Sequence, residues 1–379
     1  MLPNNFQLDD QEKWKRFNEA KLNLTINAKD PKFGNLNRQK LGLSIKDILI
    51  TCKFDELDCD YTNFSWYYSY DFGNCFTFNS GFTYKDENLT KMPIEIRKVM
   101  RAGFKSGFYL EVFSSSSSEN LSFKADYGSI VYIHNQTTQP ETTPGFRIKA
   151  GSMANILIRK HFQYLVPFPF SNCQNLNSFK FDRILFNAIT FSSLAYTRKS
   201  CLNLCLQLVN IHACGCYDLN YINLDNDKPP CNNKTQVECL SKQYNIFINQ
   251  DETIMCKDYC PLECVSSEIE LYGTSELDFP TEGYTRVLIN NKVVQNYYKK
   301  RSNITKSQLD KDVSAVHIYF NDFTYFSSVD SPRIGPYDLL SNIGGALGLC
   351  VGISILSLLE IFDLLIELII IFIKHKKIK

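Results

Sequence analysis

The chain has 379 residues, and 41 basic against 40 acidic side chains leave a formal net charge of +1, which gives no electrostatic basis for holding nucleic acid. Aromatics at 13% and charged residues at 21% supply enough apolar material for a large folded region. No H-E-x-x-H, G-x-S-x-G or phosphate-binding glycine loop occurs, so no catalytic set, metal site or cofactor site is read.

The opening stretch MLPNNFQLDDQEKWKRFNEA has no apolar run and is not a signal peptide. Residues 39–51, with Leu41, Leu43, Ile45, Ile48, Leu49 and Ile50, predict a short amphipathic helix. Cys52 and Cys59 are close enough to close a small loop, and YDFGNCFTFNSG (70–81) sets aromatics and Cys75 around a Gly-Asn turn. Residues 108–113 and 130–134 read as strands, 114–118 as a serine loop and 137–145 as a turn-rich connection. Residues 155–164 read as extended, ending at the rigid VPFPF (166–170).

Cys201 and Cys205 stand one helical turn apart, Cys214-Gly215-Cys216 marks a tight turn, and Cys256, Cys260 and Cys264 repeat at four. Two helical cysteine faces stapled together would explain this, with Pro261 interrupting the second; zinc held with His212 is the rival reading. His134, His161, His212 and His317 otherwise read as ordinary polar residues. Residues 283–301 read as helical, and VSAVHIYFNDFTYF (313–326) as a long alternating strand.

Residues 343–359 carry no charge, and apolar character then resumes up to 373 around three acids. A continuous helix of that length would be about 45 Å against a hydrocarbon core of about 30 Å, so it must tilt, protrude or break. Glu360, Asp363 and Glu367 fall at i, i+3 and i+7 and share one helical face. A carboxylate at mid-membrane costs about 2.5–3.5 kcal/mol, which favours a face on water or on another subunit; snorkelling to the interface is the alternative. Gly344, Gly348 and Gly352 form a small-residue stripe suited to close helix approach, and Gly352-Ile353-Ser354 offers a break whose carbonyls could replace an ion's hydration shell.

The basic tail KHKKIK (374–379) reads as cytoplasmic, which places the preceding region outside. Sequons at Asn23, Asn63, Asn88, Asn120, Asn135, Asn233 and Asn303 agree, as do the cysteines, most crowded from Cys201 to Cys264. Of 14 cysteines only Cys350 lies in the apolar segment. The odd remainder and the lack of an apolar leader lead to the expectation of a preceding piece with one more membrane helix and one more cysteine. A single-pass, cysteine-rich receptor or adhesion ectodomain would account for cysteines and sequons but not for the acidic face or the Gly-x-Ser.

Several stretches resemble one family: Gly73-Asn74-Cys75-Phe76-Thr77-Phe78-Asn79; Ala195-Tyr196-Thr197-Arg198-Lys199-Ser200-Cys201 with Cys205 and Cys214-x-Cys216; and Gly344-Gly345-x-x-Gly348-Leu349-x-x-Gly352-x-Ser354-x-Leu356-Ser357-x-x-Glu360. They resemble the degenerin / epithelial sodium channel / acid-sensing ion channel family over nearly the whole chain. The family's cytoplasmic start, with its His-Gly motif, and its first membrane helix are not present in this sequence.

The resemblance implies an α+β membrane protein. A large, disulfide-rich extracellular domain (1–333) with a β-sheet palm, helical thumb, finger and knuckle would precede a pore-lining second transmembrane helix (334–373) and a cytoplasmic tail (374–379). It implies a filter at Gly352, Ile353 and Ser354, a blocker level at Gly348, a gate at Ser341 and pore-lining acids at Glu360, Asp363 and Glu367. It implies the disulfides Cys52–Cys59, Cys173–Cys264, Cys201–Cys260, Cys205–Cys256, Cys214–Cys239 and Cys216–Cys231, with the partner of Cys75 outside this sequence. The function implied is a subunit of a trimeric, voltage-independent, amiloride-sensitive, sodium-selective channel of the plasma membrane, multi-pass at full length. Its partners would be sodium ions, identical or homologous subunits and the lipid bilayer, without a cofactor. A non-conducting truncated regulatory subunit is the alternative within the family.

Overall fold

A computed structural model describes residues 34–69, 72–84, 91–114, 128–136, 138, 140, 145–174, 185, 188, 195–225, 227–249, 256, 259–299, 303–352 and 355–377. The chain divides into two units, 1–167 with 172–329, and 168–171 with 330–379.

The first unit opens with helices α1 (Gly34–Gln39) and α2 (Ile45–Ile48). The strands follow: β1 (Leu49–Phe54), β2 (Leu57–Asp58), β3 (Phe64–Ser69), β4 (Gly73–Phe78), β5 (Phe82–Tyr84), β6 (Lys91–Pro93), β7 (Phe108–Phe113), β8 (Ser129–Tyr132), β9 (Gly145–Ile148) and β10 (Ser152–Tyr164). Helices α3 (Arg198–Cys214) and α4 (Lys234–Asn249) come next, then β11 (Val265–Asp278), α5 (Glu282–Ile289), α6 (Lys292–Tyr297), α7 (Lys306–Asp312) and β12 (Val313–Val329).

Six strands form the central sheet in the order β11-β10-β12-β7-β1-β2. β10 and β12 run parallel, and the other neighbours are antiparallel. A parallel pair needs a long crossover, and the chain between these two strands supplies it with α3, α4, β11 and α5–α7.

The alternation of β12 sorts its side chains onto two faces. Val313 and Ala315 join Ile50 and Phe113 under α5–α7, where Leu288, Val294 and Leu309 are buried. Val316 faces the other way, with Ala154, Ile156, Ile158 and Ile148, and the β8–β9 hairpin covers this face through Val131 and Phe146.

The helix predicted over 39–51 is cut short, because Leu49 and Thr51 pair with Val112 and Glu111 of β7 and pull the segment into the sheet. The helix predicted over 283–301 is two helices, broken at Asn290 and Asn291; the Asn291 side chain accepts from the Val293 N–H and starts the second. Gly107, at φ +85 just before β7, is required by a close approach: a Cβ there would fall on the Ile318 carbonyl of β12.

The helical subdomain is stapled rather than simply packed. Thr197 caps α3 by accepting from the Ser200 N–H, and Gly215 ends it in the left-handed region. The disulfides Cys173–Cys264, Cys201–Cys260, Cys205–Cys256, Cys214–Cys239 and Cys216–Cys231 are nested one inside the next. Leu185, Leu204, Leu206 and Phe247 pack beside the middle rungs. A sixth bond, Cys52–Cys59, closes the β1–β2 hairpin, whose turn residues Asp55 and Glu56 have positive φ.

Candidate functional site

The second unit carries α8 (Pro336–Val351) and α9 (Ile355–Lys377). Pro336 occupies the first turn of α8, where its missing N–H costs nothing. The Asp338 carboxylate accepts from the Gly335 N–H at 3.0 Å and the Gly335 carbonyl from the Leu339 N–H at 2.9 Å, so the start of the helix is fixed.

The apolar segment breaks at Gly352. This residue sits at φ +71 and ψ 12, and its N–H donates to the Gly348 carbonyl at 3.2 Å, a left-handed termination of α8. Nothing lies within 4 Å of a Cβ built there, so the glycine serves backbone conformation rather than space. Ile353 and Ser354 lie outside the described residues, and α9 follows.

Ser341, Gly344 and Gly348 lie on α8, and Ser341 is exposed. Glu360, Asp363 and Glu367 are exposed on one face of α9. Large apolar side chains stand open on both helices, among them Leu340, Leu349 and Leu356 at 70%, 91% and 71%. Among the described residues no helix is long and apolar enough to cross a membrane. The break leaves α8 at 16 residues, or about 24 Å, and α9 carries the three acids. The apolar segment, expected from the sequence to tilt, protrude or break, is thus divided in two at Gly352.

In the first unit the six disulfides are the pairs that the resemblance implies. Cys201, Cys205, Cys214 and Cys216 are bonded to other cysteines and His212 is exposed, so these sulfurs are not zinc ligands. Cys75 stands half-buried on β4 opposite Tyr67. Of the sequon asparagines, Asn63 and Asn135 are half-buried, Asn233 and Asn303 exposed, and Asn23, Asn88 and Asn120 lie outside the described residues.

Sequence reasoning missed a buried polar cluster on the face under α5. Glu111 of β7 is fully buried, and the hydroxyls of Tyr109 and Tyr284 both donate to its Oε1, at 2.6 and 2.8 Å. Burial, and next the Glu111 carboxylate, push both phenols well above the ordinary tyrosine range. His317, paired in register with Tyr109, donates from Nε2 to the Ser106 carbonyl at 2.9 Å, and burial lowers its pKa. The sequence signal was an acid at an inward position of FYLEVF, where alternation calls for an apolar residue.

Arg159 is a second missed element. Its guanidinium lies 4.9 Å from the Tyr272 ring centre and 5.1 Å from that of Phe326. It also pairs with Glu270 at 2.9 Å, which holds that carboxyl below its usual range.

The family model described as amiloride-sensitive sodium channel matches residues 2–364. The epithelial sodium channel subunit gamma of Rattus norvegicus is 25% identical over 331 residues, covering 85% of this chain and 47% of that protein. Two proteins of Neoceratodus forsteri are similar as well. The epithelial sodium channel subunit beta is 27% identical over 330 residues (86% and 48%), and the subunit gamma is 26% identical over 354 residues (92% and 49%). The chain spans about half the length of these curated relatives. It belongs to the amiloride-sensitive sodium channel family.

Proposed function

We propose that this member of the amiloride-sensitive sodium channel family is a subunit of a trimeric, voltage-independent, sodium-selective channel of the plasma membrane. The first unit is its extracellular domain, and 334–373 its pore-lining membrane segment. The observation that carries the reading is the left-handed break at Gly352, with the small-residue stripe Gly344 and Gly348 before it and three acids on one face after it.

Interrupted backbone at membrane depth is tolerated where it meets protein or water. Three copies of the break at Gly352, Ile353 and Ser354 would bring carbonyls and hydroxyls around a narrow axis, able to replace the hydration shell of a sodium ion. Glu360, Asp363 and Glu367 would then form stacked rings that concentrate cations and exclude anions. Gly348 would stand at the level where amiloride blocks, and Ser341 at the packed gate. The exposed leucines of α8 and α9 require lipid or protein around them, as this arrangement provides.

Substitution at the break tests the reading. Gly352→Ala places a side chain at positive φ, at a cost of about 1 kcal/mol, and favours a continuous helix. The sodium-over-potassium reversal potential should shift, or the current disappear, as it should with Ser354→Cys. An unchanged reversal potential and conductance in both variants would remove the break from the ion pathway.

A further inference from the structure

We propose that the open cavity beside the bulge of β12 binds an aromatic carboxylate, its ring held among the side chains of Phe162, Phe323 and Tyr325 and its charge by Lys160.

The cavity follows from the register of two strands. Ile158 of β10 pairs with Phe320 of β12, and Lys160 with Tyr325, so Arg159 alone spans residues 321–324. The extra chain is fixed as a turn. Asp322 Oδ1 accepts from the Thr324 N–H at 2.9 Å and from the Thr324 hydroxyl, and Oδ2 accepts from Asn321 Nδ2 at 3.4 Å. The turn brings Phe323 back beside Phe320, with ring centres 6.1 Å apart.

Alternation along β10 puts Ile158, Lys160, Phe162 and Tyr164 on one face. The β8–β9 hairpin covers the start of this face, and the apolar cluster beneath it reaches as far as Ile269 and Phe320. Past them lies a cavity of about 510 Å³, walled by aromatic rings, with Lys160 and Thr324 as its polar groups. That size suits a small-molecule site. Phe162 and Tyr325 meet edge to face with ring centres 5.5 Å apart. Tyr164, Phe323 and Tyr325 stand 40%, 57% and 67% exposed, an apolar surface that calls for an occupant.

Charge decides the class of that occupant. Among the described residues no carboxylate lies within ion-pairing distance of Lys160. Glu270, on the neighbouring strand, pairs instead with Arg159 at 2.9 Å, one residue along and so on the opposite face. Asp322 is engaged within its own turn. A neutral ligand would leave the ammonium unpaired and a cationic one would be repelled. A flat ring bearing a carboxylate satisfies both the aromatic wall and the lysine.

The test is titration of the full chain in lipid nanodiscs with naphthoate, followed by saturation-transfer NMR against empty nanodiscs. Naphthylmethanol and naphthylmethylammonium are the neutral and cationic comparisons. Naphthoate should bind with a Kd of about 1 mM or below, as expected for a ligand of about thirteen heavy atoms. It should bind about fivefold tighter than the alcohol, the reach of a solvent-exposed ion pair. Lys160→Gln should remove that preference and Lys160→Arg keep it, while Phe323→Ala weakens both ligands. Absence of naphthoate binding, a preference unchanged in Lys160→Gln, or tighter binding of the ammonium would overturn the proposal. So would disulfide linkage between copies that appears only with Tyr325→Cys, since a second copy would then fill the cavity. The readout is binding rather than current, so failure here leaves the channel reading standing.

Discussion

The nested disulfides make a quantitative prediction about cooperativity. Cys201–Cys260 and Cys205–Cys256 span 59 and 51 residues, so with one closed the other adds a ring of only about eight residues on that side. An isolated 51-residue loop would contribute about 4 kcal/mol by loop-closure entropy. Within the ladder, removing either rung should cost about 2 kcal/mol and removing both about 5 kcal/mol, a coupling of about 1 kcal/mol beyond additivity. The perturbations are the paired replacements Cys201→Ala with Cys260→Ala, Cys205→Ala with Cys256→Ala, and all four together. Lost sulfur packing cancels in the cycle, since each arm removes the same buried atoms. Guanidinium unfolding of the chain in detergent, followed by intrinsic fluorescence, measures the cycle. Strict additivity, or a four-fold variant less costly than the sum, would refute the ladder as an entropic unit.

Gly107→Ala combines positive φ with a clash against β12 and should destabilise by about 2 kcal/mol or more; a loss under about 0.5 kcal/mol in the same assay would contradict the close approach. Glu111→Ala leaves the Tyr109 and Tyr284 hydroxyls without their acceptor, at about 1–3 kcal/mol for each, and adding Tyr284→Phe should recover part of the loss. Because burial depresses the His317 pKa, the fold prefers the neutral imidazole, while the unfolded chain takes up its proton as pH falls through about 6.5. The His317 contribution should therefore be complete above that pH and lost as pH falls toward the lower folded value, and His317→Gln should flatten this part of the stability profile. Neutralising Glu360, Asp363 and Glu367 should lower sodium conductance in that order, since screening by bulk water grows away from the break.

The strand at 108–113 and the long alternating strand from Val313 were legible because period-two patterning is local. The end of the first helix was not, since Leu49 to Thr51 become strand only through partners some sixty residues away in β7. The break in the apolar segment was legible from Gly352 and its neighbours, and the cysteine spacing announced a staple whose nesting order came only through a family resemblance. Glu111 and Tyr284 are 173 residues apart in sequence, a juxtaposition that no local pattern encodes.

The most direct measurement is sodium current under voltage clamp in cells displaying this chain, alone and together with related channel subunits, before and after amiloride. The account predicts a sodium-selective current, insensitive to voltage in its opening, blocked by amiloride and reduced by Glu360→Gln. Surface display of the chain with no amiloride-blocked sodium current under any of these conditions would contradict it.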